Sequence, residues 1–220
     1  MQKVFKKLSL VRETAGTPFR ALLFIVLTIY ASAAYSASKT ILVLGDSLSA
    51  EYGLVRGTGW VPLLIEKLKA EKIDANVVNA SISGETTSGG KSRLPQLLEK
   101  HNPNVVVIEL GANDGLRGLS IASTEKNLRD MIDVAKKAGA RVLLAGMQIP
   151  PNYGADYTQR FAAMYPKLSR EMKVSLVPFL MENFAHQPAM FQPDRIHPTS
   201  EAQPIMLNNV WPRLKPLLTK

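Results

Sequence analysis

Five short apolar runs constrain the fold of this chain more than any other feature. Thr40 to Leu44, Ala75 to Val78, Val105 to Leu110, Arg141 to Ala145 and Val174 to Val177 are rich in Val, Ile and Leu and do not alternate with polar residues. A strand with one wet face alternates, whereas a continuous apolar strand is covered on both faces, as in a parallel sheet between helices. The stretches between the runs have helical spacing. Trp60, Val61, Leu63, Leu64 and Leu68 recur at three to four residues, Leu94, Leu97 and Leu98 repeat the pattern, and Leu128, Met131, Ile132 and Ala135 form a stripe within Thr124 to Lys137 that Gly139 ends. A last helix is predicted from near Ser200 to Leu217, with Ser200-Glu201-Ala202-Gln203 resembling a capping box. Strand and helix in alternation, with right-handed crossovers, predict a three-layer α/β/α sandwich. A chain of 220 residues, 46% apolar, is enough for one substantial core.

The first 36 residues stand apart. Lys3, Lys6, Lys7, Arg12 and Arg20 face a single acid, Glu13; the apolar run Ala21 to Tyr30 follows, then small residues through Ala37. Basic, apolar, small is the order of a secretory signal peptide, with cleavage expected between about Ala33 and Ser38 and a periplasmic or secreted product. The rival reading, an uncleaved anchor, needs a longer apolar stretch than this one. The domain organisation expected is therefore residues 1–36 as leader and 37–220 as the folded domain. Without the leader the net charge of +9 falls to +5, 22 basic residues against 17 acidic. That excess is spread along the chain without aromatic interleaving, which does not fit nucleic-acid binding. The absence of cysteine excludes disulfides, a thiolate nucleophile and cysteine-ligated zinc.

Chemistry-bearing residues gather where strands end. Gly45-Asp46-Ser47-Leu48 leaves the first run, Asn79 to Thr86 the second, and Gly111-Ala112-Asn113-Asp114 the third. In an open parallel sheet, ligands bind at that edge. A serine there is also a common helix cap, Gly84 a common turn residue and Asn113 a common loop cap. Serine attacks an acyl group only when a base takes its proton, and three histidines are candidates. His101 follows Glu99-Lys100 at a helix end, and His186 lies in an irregular stretch with no carboxylate suitably placed. His197 has Asp194 three residues before it, and Pro193 and Pro198 bracket the pair and stiffen the turn. A carboxylate there holds the Nδ1 proton and leaves Nε2 to face Ser47. Gly84 with its backbone N–H, Asn113 with its side-chain amide and the Ser47 N–H are the candidate donors to an oxyanion. Asp46 and Leu48 flank the serine as candidate substrate contacts. The proline-stiffened loop Gln148 to Gly154 supplies Ile149, Pro151 and Tyr153 as a cleft wall.

Other chemistries lack their residues. Position 49 is Ser, so Ser47 is not in a Gly-x-Ser-x-Gly elbow. No His-Glu-x-x-His and no Gly-x-Gly-x-x-Gly after the first strand are present, so neither a metal nor a dinucleotide cofactor is expected.

Gly-Asp-Ser-Leu at 45–48, Gly84, Gly-Ala-Asn-Asp at 111–114 and Asp194 to His197 resemble, in order, the four blocks of the GDSL or SGNH hydrolases. Val78 to Gly84, Ile108 to Gly111, Asn113 to Gly118 and Pro151 to Gly154 resemble more narrowly its multifunctional thioesterase I/protease I/lysophospholipase L1 enzymes and bacterial arylesterases. The resemblance implies a flavodoxin-like, five-stranded parallel sheet and no metal. It implies Ser47 as nucleophile, Asp194 and His197 as its partners, and Ser47, Gly84 and Asn113 as the oxyanion hole. The implied activity is hydrolysis of acyl and aryl esters, thioesters and lysophospholipids through an acyl-enzyme, by a monomer whose partner is its substrate. Glu85, Ala112 and Arg195 depart from the residues usual in relatives, Asp, Gly and Gly. The alternatives are a carbohydrate O-deacetylase on the same fold and a non-catalytic acyl or lipid binder.

Overall fold

The apolar runs do become strands. In a computed structural model, which describes residues 38–219, they are β1 (Lys39–Gly45), β2 (Ala75–Asn79), β3 (Val105–Glu109), β4 (Arg141–Ala145) and β5 (Ser175–Val177). The leader read in residues 1–36 lies outside the described residues. The strands form one parallel sheet in the order β2-β1-β3-β4-β5, with Leu42 opposite both Val78 and Val106. After β2 the chain passes over β1 to place β3 on its far side. The border of β1 and β3 is therefore where the winding direction reverses, and a crevice opens beyond the strand ends there.

Burial on both faces holds for the inner strands: Ile41 to Leu44 and Val105 to Ile108 have no exposed surface. At the edge, β2 leaves Asn76 and Asn79 exposed, because an edge strand is only partly covered. The α-helices of the described residues are α1 (Trp60–Ala70), α2 (Thr87–His101), α3 (Ala112–Leu116), α4 (Ile121–Lys137), α5 (Ala155–Met172) and α6 (Gln203–Thr219). α1 packs with α6, while α2 packs on α4 and α4 on α5. Right-handed crossovers put these two groups on opposite faces, giving the three layers.

α4 begins three residues before the predicted Thr124, because the Ser120 hydroxyl accepts the Ser123 N–H and caps it there. α5 was not anticipated. It buries Phe161, Met164, Tyr165 and Leu168, a helical stripe that Pro166 interrupts in the sequence. The predicted capping box is not built. Ser200–Ala202 is a turn of 3₁₀ helix, and the buried Gln203 side chain accepts the Trp60 N–H at 3.0 Å while donating to the Thr199 carbonyl. It serves the start of α1, on a helix remote in sequence, rather than its own.

Candidate active site

β1 ends at Gly45, where a Cβ would lie 2.7 Å from both the Glu109 carboxylate and the Ser49 hydroxyl. Glycine here leaves the room that the Glu109 carboxylate and the Ser49 side chain occupy. The next residue, Asp46, is buried, and its two oxygens hold two segments. Oδ1 accepts the Leu48 N–H and fixes the turn that presents Ser47; Oδ2 accepts Asn113 Nδ2 at 3.0 Å. Asn113 Nδ2 also donates to the Glu85 carbonyl, so the amide plane is held from two sides. Asn113 belongs to the first turn of α3, entered through Gly111 at φ +117. Ala112 adopts helical backbone there, and the unusual dihedral falls on Gly111, where a Cβ would meet the Tyr165 hydroxyl at 2.4 Å.

His197 reaches this turn from the other end of the chain. Its Nε2 lies 2.9 Å from Ser47 Oγ and its Nδ1 2.6 Å from Asp194 Oδ2. The tautomer with the proton on Nδ1 satisfies both bonds: Nδ1 donates to Asp194 and Nε2 accepts the serine hydroxyl. Asp194 Oδ1 accepts the N–H groups of Ile196 and His197. Partial burial raises the Asp194 carboxyl, but these amides and the imidazole outweigh it and hold the group at about 2. The turn is closed by Gln192, whose N–H donates to the His197 carbonyl. The Gln192 amide also donates to Pro198 and to the Tyr52 carbonyl, tying the histidine turn to the segment after Ser47. The Tyr52 ring lies over the imidazole with centroids 4.3 Å apart. Arg195 takes a φ of +58, a left-handed conformation that costs a non-glycine residue about 1 kcal/mol.

Gly84 stands at φ +79, with its carbonyl accepting Arg117 Nη2. A Cβ there would come no closer than 3.7 Å to that guanidinium, so the dihedral, not crowding, calls for glycine. Among the described residues the Ser47 and Gly84 N–H groups bond to no other protein group. Glu85 pairs with Arg93 at 2.7 Å. His101 closes α2 and His186 is exposed before Pro188, and neither is bonded to Ser47.

A cavity of about 420 Å³ opens on Ser47, Asn113 and His197, walled by Leu116, Met147, Ile149, Phe179, Met181 and Phe191. Of the candidate substrate contacts, Asp46, Leu48, Ile149 and Pro151 line it. Tyr153 does not; its phenol donates to the Leu116 carbonyl instead. Phe179, Met181 and Phe191, from the irregular stretch after β5, were not anticipated as walls. Neither was Glu109, although a carboxylate inside the apolar run Val105 to Leu110 is itself a signal. It is fully buried at the end of β3, accepting the Ser49 hydroxyl at 2.7 Å and the Asp46 N–H, while Trp60 Nε1 donates to Ser49. Burial, reinforced by Asp46, pushes Glu109 far above the usual carboxylate range, and burial likewise raises Asp46 to about 6. Among the described residues no three His, Cys, Asp or Glu side chains cluster closely enough to hold a metal ion.

A serine, an imidazole and a carboxylate in one hydrogen-bonded line, at the winding reversal of a parallel sheet, define a hydrolase that works through a serine hydroxyl. Residues 43–204 match the model of the GDSL-like lipase/acylhydrolase family, and the chain belongs to that family. It is 51% identical to the esterase TesA of Pseudomonas aeruginosa over 83% of this chain and 91% of that one. It is 44% identical to the thioesterase 1/protease 1/lysophospholipase L1 of Escherichia coli over 89% and 91%. The crystal structure of TesA superposes with a TM-score of 0.80, covering 82% of this chain and all of the other. The chain is an ester hydrolase of the family that its ordered motifs resemble.

Proposed function

We propose that Ser47 Oγ attacks the acyl carbonyl of a carboxylic ester while His197 Nε2 takes its proton, a transfer worth about 10² to 10⁴ in rate. Asp194 keeps the imidazole in the required tautomer and stabilises the imidazolium. The Ser47 and Gly84 amides receive the negative charge on the carbonyl oxygen, joined by Asn113 Nδ2 as one of its two N–H groups turns from the Asp46 or Glu85 oxygen it bonds in the free protein. His197 then delivers its proton to the leaving oxygen or sulfur, and water releases the acyl group from Ser47 by the same steps. The observation that carries this reading is the continuous line Ser47–His197–Asp194 at the floor of an apolar cavity.

The apolar walls favour acyl chains, and the E. coli relative's name adds thioesters and lysophospholipids to the substrates proposed for this chain. They argue against a carbohydrate deacetylase, whose sugar would face Met147, Phe179 and Phe191. Residues 1–36 serve as a signal peptide, and residues 37–220 act as a periplasmic or secreted monomer. Ser47→Ala should abolish hydrolysis of a short aryl ester, with the circular dichroism spectrum and unfolding temperature unchanged. Turnover surviving in that variant would falsify the mechanism.

A further inference from the structure

Among the described residues, seven large apolar side chains are exposed, and six of them stand on one edge of the sheet. Tyr52 and Val55 follow β1, Ile82 follows β2, Leu119 follows α3, Tyr153 follows β4 and Ile196 adjoins His197; the seventh, Val134, is on α4. Every one of the six belongs to a segment leaving the carboxyl end of a parallel strand. The topology therefore gathers them around the mouth of the cavity, which Ile196 itself lines. Val55 is 78% exposed and Ile82 48%. Single exposed apolar residues are ordinary on a protein surface; their concentration on one edge is not.

Charge selects the partner. Arg56 follows Val55, Arg195 precedes Ile196 and Arg117 lies two residues before Leu119, all three exposed. Among the described residues none of these guanidiniums is in an ion pair, and Arg117 bonds only the Gly84 carbonyl. The carboxylates beside them are engaged: Glu51 by the Gly57 and Gly59 amides, Glu85 by Arg93, and Asp194 by His197. Of the others at this edge, Asp46 and Asp114 are buried, Asp156 pairs with Arg160, and Glu182 and Glu201 belong to stretches packed on or leading into α6. A two-fold pairing of this edge with a second copy would set arginine against arginine. Phospholipid phosphates meet the same arginines with opposite charge.

We infer that this edge docks on an anionic phospholipid surface. The apolar tips enter the boundary between head groups and acyl chains, the guanidiniums stay at the level of the phosphates, and the cavity mouth faces the lipid. An acyl chain then passes to Ser47 without crossing water. The inference rests on the proposed hydrolysis of amphiphilic acyl esters and adds where the enzyme meets them.

The absence of cysteine makes the test direct. Val55→Cys and, separately, Val134→Cys are labelled with an environment-sensitive fluorophore and titrated with vesicles of phosphatidylcholine and phosphatidylglycerol. Residues 1–37 are common to both proteins, so the comparison reads the rim and not the leader. The Val55 label should shift to the blue while the Val134 label does not, and Arg56→Ala should raise the lipid needed for half the shift about five-fold. Equal shifts at both sites, no shift at Val55, or a shift produced by raising protein concentration without lipid would each overturn the inference, the last in favour of a second copy. Hydrolysis of a soluble aryl ester, followed on the same labelled proteins, reports on the proposed function separately: turnover without insertion sinks the docking face alone.

Discussion

Asp46 links three parts of the site that are distant in sequence. One oxygen shapes the turn presenting Ser47, the other anchors Asn113, and its own N–H meets Glu109. Asp46→Asn keeps an oxygen for Leu48 but sets an amide against the Asn113 amide, donor facing donor. Removal of an oxyanion donor lowers kcat about 10² to 10³-fold, and loss of its anchor should cost somewhat less, about 10 to 10²-fold, with KM for a short aryl ester little changed. The same residue has a pH signature. Its folded pKa, about 6, exceeds the ordinary 3.8, so between these values the folded state holds more protons than the unfolded one. The stability it confers is complete below 3.8 and is lost as pH rises through about 6. Asp194 has the opposite sign: its folded pKa of about 2 lies below 3.8, so its stabilisation is present above 3.8 and disappears as pH falls through about 2. Urea midpoints measured from pH 4 to 7 should show a falling component that Asp46→Asn removes.

Among the elements, α1 and α6 are joined by a side chain that a local reading assigned elsewhere. Gln203 accepts the Trp60 N–H in the first turn of α1, and both residues are buried. Gln203→Leu leaves that N–H and the Thr199 carbonyl without their partner, and should lower unfolding free energy by about 1 to 3 kcal/mol in urea titration, with kcat unaffected. The sequence made strands and motif loops legible because each is specified locally: a continuous apolar run, a glycine at a forced dihedral, a carboxylate three residues before a histidine. Gln203, Tyr52 over the imidazole and Gln192 across the two loops act between segments far apart, where no local pattern records them. α5 was hidden differently: the stripe Phe161, Met164, Tyr165, Leu168 is present, but Pro166 lies within it and Pro150 and Pro151 precede it. Glu109 was visible as an acid in an apolar strand, yet its contact with Ser49 depends on the parallel register of β1 and β3.

At the scale of the molecule, the cavity proposed to take the acyl chain is a composite. α3 contributes Leu116, the segment after β4 contributes Met147 and Ile149, and the stretch after β5 contributes Phe179, Met181 and Phe191. An apolar wall of that kind rewards each added methylene with about 0.8 kcal/mol, close to four-fold in kcat/KM, until the groove is filled. A series of p-nitrophenyl esters of increasing chain length should show that rise and then a plateau; a profile that falls from acetate onward would contradict the cavity's assignment to acyl chains. Assembly of the site also spans the chain, since the hydroxyl and the imidazole that touch are 150 residues apart. A nascent polypeptide carries its serine early and its proton acceptor almost last. A copy unfinished at the histidine turn thus lacks the imidazole that the proposed attack by Ser47 requires, and synthesis partway along this chain yields no ester-cleaving activity.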